Sequence, residues 1–234
     1  MVIKSQQPSA DRLELFAPEE FLGDALDRLK SAPADERGAI FTRPEVVDFM
    51  LDLIGYTTDK PLWRFRLLEP SFGGGEFLLK AVERLLEAAR RAQVAARDLA
   101  AAIRAVELHR DTFEQTRQEL ARLLHSKKVP AGTQTMLLDA WLRNADFLLE
   151  PYRERFDFVV GNPPYVRQEF IPANLLAEYR LRFTTLYDRA DLYVPFMEKS
   201  LGLLSDEGQM SFICSDRWMK NRYGGPLRAL ISSG

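Results

Sequence analysis

The chain has 234 residues, 46% hydrophobic and 28% charged, with a formal net charge of −2. That supplies one globular core, and the slightly acidic balance argues against a surface coated with basic patches for nucleic acid. There is no run of ~18 apolar residues to span a membrane and no apolar segment near the start to act as a secretory leader. The single cysteine makes no internal disulfide, so the setting reads as reducing and cytoplasmic.

Residues 9–30, "SADRLELFAPEEFLGDALDRLK", carry apolar residues at helical spacing and are expected to form one or two short helices outside the main fold. Ser31–Gly38 is a linker by composition. The division expected is therefore an N-terminal extension over 1–37 and a main domain over 38–234. In "TRPEVVDFMLDLIG", Thr42 is the expected N-cap, Pro44 falls in the first turn and Gly55 lies past the end, which makes a helix.

"RFRLLEP" is a short apolar run stopped by a proline, the first strand. Three glycines then turn the chain into the helix "EFLLKAVERLLEAARRAQ". An Ala-rich helix follows, then "AIRAVEL" as the second strand and "RDTFEQTRQELARLLH" as a helix. A third strand lies within "TMLLDAWLRNADFLL", and "RFDFVVG" is the fourth. "DLYVPFMEKSLGLLSDEG" reads as a helix ending at Gly208, and "QMSFICSDRWM" as the fifth strand with its exit loop, Cys214 being a buried strand residue. Arginines crowd both late regions: Arg153, Arg155, Arg167, Arg180, Arg182 and Arg189, then Arg217, Arg222 and Arg228 with Lys220. Strands alternating with helices make βαβ units and a largely parallel sheet. Ligands of such sheets bind beyond the C-terminal ends of the strands, where each of the informative residues falls.

Gly73, Gly74 and Gly75 let a backbone approach a ligand closely. The dinucleotide pattern fails at its third glycine, which is Leu78, and the phosphate-loop pattern is absent. Glu69, at the end of the first strand, would repel a phosphate and attract a cation. Glu107 ends the second strand, where an acid grips ribose hydroxyls. Its spacing exceeds the usual ~20 residues, an excess attributed to the Ala-rich helix. Asp146 can accept a hydrogen bond from an exocyclic amine, and Phe147 can lie on a purine face. Together these stations describe a pocket for an adenosine-bearing ligand without a phosphate cradle.

The fourth strand runs straight into Asn162-Pro163-Pro164-Tyr165. Two prolines cannot continue a ladder, so the strand stops stiffly. The Asn162 side-chain oxygen and the Pro163 carbonyl form a rigid pair of acceptors for both hydrogens of one –NH2. An aryl amine is a poor nucleophile because its lone pair is delocalised. Accepting both N–H bonds favours a pyramidal nitrogen and stabilises the charge that develops on attack. Tyr165 would stack on the ring bearing the amine, at about 1–3 kcal/mol for a base swung out of a duplex. No cysteine near this loop offers a thiolate nucleophile. His109 and His125 lack companions at metal-ligand spacing, so no metal is expected.

"GAIFTRPEVVDFM", "LLEPSFGGGEFLL", "AVELHRDTF", "NADFLL" and "FDFVVGNPPYVRQEF", in that order, resemble the amino-directed DNA methyltransferases of the γ arrangement. These use S-adenosylmethionine to methylate N6 of adenine, and the likeness is to adenine methylases of restriction-modification and related phage-defence systems. It runs from about Gly38 to the end of the chain. The resemblance implies a Rossmann-like class I S-adenosylmethionine-dependent α/β sheet, mostly parallel, behind a short helical N-terminal extension. Thr42 would border the methionine end of the cofactor. Glu69, Pro70, Ser71 and the Gly73–Gly75 backbone would hold the methionine and sugar region. Glu107 would take the ribose hydroxyls, with Leu108 also in the cofactor site, while Asp146 and Phe147 would take the adenine. Asn162, Pro163, Pro164 and Tyr165 would hold and activate the target base, and Arg167 and Gln168 would line the base pocket or DNA channel.

The sequence departs from the family pattern in two places. The glycine turn reads Ser-Phe-Gly-Gly-Gly, and Leu108-His109 replaces an acid often found after the ribose-binding Glu. The chain also stops at "LRALISSG", where the family continues with two more strands, another base-pocket aromatic and a target-recognition domain. An incomplete catalytic domain is therefore expected, acting on double-stranded DNA with the adenine flipped out, alongside a missing C-terminal recognition region or a separate specificity subunit. N4 of cytosine, a protein glutamine amide and a cofactor-binding fragment without activity remain as alternatives.

Overall fold

The computed structural model describes residues 19–30 and 41–233. The linker expected at Ser31–Gly38 and any helix ahead of Glu19 lie outside these residues. The sheet has five strands: β1 (Leu67–Glu69), β2 (Ile103–Glu107), β3 (Leu142–Asn144), β4 (Phe156–Gly161) and β5 (Leu204–Phe212). They are ordered β3-β2-β1-β4-β5, and every pair is parallel. Strand order therefore reverses between β1 and β4, which is where such a sheet opens a crevice at its C-terminal edge.

Neighbouring strand residues face opposite sides of the sheet, and both sides are apolar. Leu67, Ala105 and Phe158 enter one core, which is covered by α2 (Pro44–Leu53), α3 (Glu76–Arg91), α4 (Arg110–Ser126) and α5 (Ala131–Trp141). Leu68, Val106 and Val159 enter the other, covered by α1 (Glu19–Lys30), α6 (Ala173–Arg182) and α7 (Tyr193–Leu203). A parallel sheet has to be covered on both faces. That requirement explains why its strands read as continuous apolar runs instead of alternating ones.

Several expectations change. The helix α1 is not set apart: it packs on α6 and buries Ala25 and Leu29 in the second core. Thr42 does not cap α2. Arg43 takes the N-cap position without a side-chain hydrogen bond, and Thr42 is committed elsewhere. The Ala-rich stretch forms only a 3-10 turn, Ala96–Leu99, so the long spacing between Gly73 and Glu107 comes from the 16-residue α3. Most of the uncertain third segment is helix α5, with three residues of strand behind it.

The last crossover helix ends at Leu203, not at Gly208, and β5 begins at once. The pairing of β4 with β5 is irregular between Phe156 and Phe158, and Gly208 lies in that irregular stretch of β5. A Cβ on Gly208 would lie 2.9 Å from the Phe156 carbonyl oxygen. That glycine therefore marks close strand approach, and the sequence cue for a helix stop misread it. β5 ends at Phe212, so Cys214 sits two residues beyond it, half-buried. The short α8 (Arg217–Lys220) and α9 (Gly225–Ser232) follow.

Candidate active site

A cavity of about 300 Å3 opens at the C-terminal ends of β1, β2, β3 and β4. Of the residues singled out in the sequence, it is lined by Thr42, Glu69, Pro70, Ser71, Gly73, Glu107, Leu108, Asp146, Phe147, Asn162 and Pro164. Residues from four separate strand exits thus meet around one space.

The glycine turn is held from two sides. The Gly73 N–H donates to Glu107 Oε2 at 2.9 Å, and Thr116 of α4 donates its hydroxyl to the Gly73 carbonyl at 2.7 Å. Gly75 then starts α3 with φ of 86°, a left-handed conformation that favours glycine. Gly75 stands behind the cavity wall, not on it, and Thr116 blocks the place a Cβ would take, 2.6 Å from Cγ2. Glu107 also accepts the His109 N–H through Oε1 at 2.8 Å. Being 3% exposed, its carboxyl is pushed up by burial, against the pull of these backbone donors.

Glu69 is 1% exposed, and its Oε2 has no hydrogen-bond partner among the described residues. Burial, and then the charges of Glu76 and Glu107, push its carboxyl well above the ordinary range. A buried carboxyl with a raised pKa and one oxygen unengaged by the protein suits a cation or a hydrogen-bonding group of a ligand. Asp146 is buried at the opposite, apolar end. Its Oδ1 accepts the Leu148 N–H at 2.8 Å, and its Oδ2 accepts the Tyr179 hydroxyl of α6. Burial raises its pKa in spite of both bonds. The Phe147 ring lies 5.1 Å from that of Phe196.

Asn162 turns its Nδ2 to Thr42 Oγ1 at 3.2 Å, so the acceptor end of the amide points away from Thr42. Pro163 is buried behind it. Tyr165 is not on the cavity wall. Its hydroxyl donates to the Ile213 carbonyl past β5 at 3.2 Å, and its ring lies 5.8 Å from Tyr193. Arg167 and Gln168 are also outside the cavity. Arg167 is exposed, while Gln168 donates to the Asp188 and Ala190 carbonyls and accepts from Arg180.

The sequence reading missed Leu29, Phe41, Glu76, His109, Tyr179 and Phe196, all on the cavity wall. The wall at Leu29 is built by α1, whose Lys30 carbonyl lies 2.9 Å from His109 Nδ1. That carbonyl can only accept, so the proton is on Nδ1. Tyr179 stands with Leu175 and Phe183 at i, i+4 and i+8, an apolar helical face over 173–183 that was open to a sequence reading. Among the described residues no group of three or more His, Cys, Asp or Glu is placed to hold a metal ion, and no helix is long and apolar enough to cross a membrane.

The family model described as Eco57I restriction-modification methylase matches residues 84–233. Type II methyltransferase M.PaeR7I of Pseudomonas aeruginosa is 61% identical over 201 residues, covering 85% of this chain and 35% of that protein. M.XhoI of Xanthomonas vasicola is 53% identical over 206 residues, covering 85% and 37%. The chain thus spans about a third of the length of these curated relatives. Among solved structures, one from Listeria monocytogenes assigned to the class I S-adenosylmethionine-dependent methyltransferases superposes with a TM-score of 0.58 at 14% identity, over 92% of this chain and 58% of that one. The type IIG restriction endonuclease BpuSI gives 0.55 at 17% identity, over 91% and 24%. At such identities the likeness is one of fold: the sheet and its helices are those of the class I methyltransferases.

Proposed function

The chain belongs to the Eco57I restriction-modification methylase family, and from that premise we propose that it transfers a methyl group from S-adenosylmethionine to the exocyclic N6 amine of adenine in DNA. Fold and family imply S-adenosylmethionine as the cofactor. The residues present fit it. The buried Glu69 oxygen suits a cationic ligand, Glu107 suits hydroxyls, and the apolar end around Phe147 suits a purine. When bound, the cofactor supplies an electrophilic methyl on sulfonium.

One observation carries the reading: Glu107, Asp146 and Asn162, on three different strand exits, line the same cavity. The ribose is assigned to Glu107, and the adenine of the cofactor to Asp146 and Phe147. Thr42, Pro70, Ser71 and the glycine turn border the remainder. Asn162 is the catalytic acceptor. With its amide donor engaged by Thr42, its oxygen is assigned one hydrogen of the target amine, and the Pro163 carbonyl, which lies off the cavity wall, is assigned the other. This leaves nitrogen lone-pair density for attack, stabilised by dipoles already in place. The surplus proton leaves to solvent after transfer, since a secondary arylammonium is a strong acid and needs no buried base. Stacking by Tyr165 requires its ring to swing from the Tyr193 side, and Arg167 and Gln168 are assigned to the rim of the DNA channel. DNA sequence selection is assigned to a further C-terminal region or a separate specificity subunit. What supports this is that the chain spans only 35% of the length of M.PaeR7I.

The test is methyl transfer from labelled donor to duplex DNA by the protein with its recognition region, followed by nucleoside analysis. N6-methyladenine is the expected product, lost in Asn162→Ala while cofactor affinity stays within a few-fold. N4-methylcytosine, or methylglutamine from a peptide substrate, would reassign the target. Cofactor binding without any transfer would leave a binding module.

A further inference from the structure

Lys199 projects from α7 onto the turn that follows β3. Its Nζ donates to the carbonyls of Phe147, Leu148 at 3.2 Å and Glu150 at 2.6 Å. The same nitrogen lies 4.9 Å from the centroid of the Phe147 ring and 5.1 Å from that of Tyr152. An ammonium has three N–H donors, and all three are spent on carbonyls of one turn. The turn's other bonds all run through Asp146: the Leu149 and Glu150 N–H groups both return to the Asp146 carbonyl, the Leu148 N–H goes to the Asp146 side chain, and Tyr179 donates to that side chain. Lys199 does not line the cavity, and nothing in the transfer chemistry uses it.

We infer that Lys199 is a positioning residue for the cofactor's adenine subsite: its ammonium gathers the carbonyls of residues 147–150 and so fixes the turn that presents Asp146 and Phe147 to the cavity. The inference rests on the cofactor reading given above. Neutral lysine could satisfy only two of the three carbonyls and would lose its attraction to the two ring faces. The charge has to be sustained against burial, which pushes the Lys199 pKa down to about 8. Asp146 and Glu150 on the turn favour the charged form, and Arg182 on α6 opposes it. The hydroxyls that face the same region, Tyr179 of α6 and Tyr152, are held neutral by burial. As pH rises through about 8, Lys199 is then the group on this side of the cavity that changes charge.

The experiment measures S-adenosylmethionine affinity by calorimetry from pH 7 to pH 9.5 for the wild type, Lys199→Arg and Lys199→Met. Amide hydrogen exchange over residues 146–151 is followed in the ligand-free proteins. Affinities are read as ratios to the wild type at each pH, because the α-amino group of S-adenosylmethionine also titrates in this range. Lys199→Met should bind roughly tenfold more weakly than the wild type at pH 7, and the gap should close by pH 9.5. Lys199→Arg stays charged throughout, so its affinity relative to the wild type should rise roughly tenfold across the range. Exchange in the turn should quicken in Lys199→Met and, on raising pH, beyond the intrinsic rate in the wild type, with β1 and β4 unaffected. A ratio of wild-type to Lys199→Met affinity that stays constant from pH 7 to pH 9.5, or a turn equally protected with and without the lysine, overturns the inference. If Lys199→Met does not fold, the wild-type exchange profile decides. Wild-type protein that binds no cofactor at any pH refutes the cofactor reading, while the exchange result still judges what Lys199 does to the turn.

Discussion

Asn162 and Thr42, 120 positions apart in the chain, are joined by a hydrogen bond of 3.2 Å from the Asn162 amide to the Thr42 hydroxyl. The bond ties the entry of α2 to the exit of β4 and holds the Asn162 amide in place. Thr42→Val keeps the shape and removes the acceptor. The freed amide can rotate, and a misplaced acceptor loses transition-state stabilisation of about 1–3 kcal/mol. Turnover should drop about tenfold or more, while Thr42→Ser restores most of it. Single-turnover methylation with saturating cofactor is the measurement. Equal rates for Val and wild type would remove Thr42 from the catalytic arrangement.

Glu107 holds two backbone N–H groups, those of Gly73 and His109. It therefore shapes the glycine turn as well as facing the place proposed for the ribose. Glu107→Ala should weaken S-adenosylmethionine binding by roughly 1–3 kcal/mol, the range for losing a buried partner of hydroxyls. The two stranded donors should also lower stability by an amount of that order. Calorimetric titration and urea unfolding report the two effects separately. Unchanged affinity would take Glu107 out of the site.

On the proposed assignment, Glu69 links cofactor binding to protons. Burial and the neighbouring acids raise its pKa, so the ligand-free site keeps a proton at pH values where an ordinary carboxyl has lost it. A cationic ligand favours the carboxylate and expels that proton. Affinity should accordingly rise with pH through the raised pKa. The ligand-free fold behaves oppositely: between the ordinary and the raised pKa the native state binds more protons than the unfolded one, so this group's contribution to stability grows as pH falls. Glu107, shifted the same way, adds to both trends. Binding heats measured in two buffers of different ionisation enthalpy should differ, and Glu69→Gln should reduce the difference. Identical heats in both buffers would contradict the assignment.

What the sequence disclosed follows from the range of the interactions involved. β1, β2 and β4 are buried on both faces, so each shows an apolar run with a hard stop at Pro70, His109 or Pro163, and the residues at those stops are the ones that converge. The wall contributed by α1, α6 and α7 was not legible. Leu29, Tyr179 and Phe196 look like ordinary core residues until the chain is folded, and the Lys30–His109 contact spans 79 positions. Thr42 was misread for a local reason. A threonine two residues ahead of a proline resembles a cap, but its partner is Asn162, which no local rule reaches. The Gly208 error is of the same kind, because a glycine demanded by a neighbouring strand is indistinguishable in sequence from one that ends a helix.

The glycine turn separates backbone conformation from steric room. Gly73 has φ of 49° with nothing within 4 Å of the place a Cβ would take, whereas Gly75 has φ of 86° and Thr116 Cγ2 at 2.6 Å from that place. Gly73→Ala should therefore cost only the left-handed penalty of about 1–2 kcal/mol. Gly75→Ala adds overpacking against α4 and should cost roughly 2–5 kcal/mol. The collision partner is a methyl group, so Gly75→Ala combined with Thr116→Ser should recover part of the loss. The serine keeps the hydroxyl that bonds the Gly73 carbonyl. Urea unfolding of the wild type and these three variants measures this directly. Equal destabilisation by the two alanines would mean that α4 yields to the added methyl.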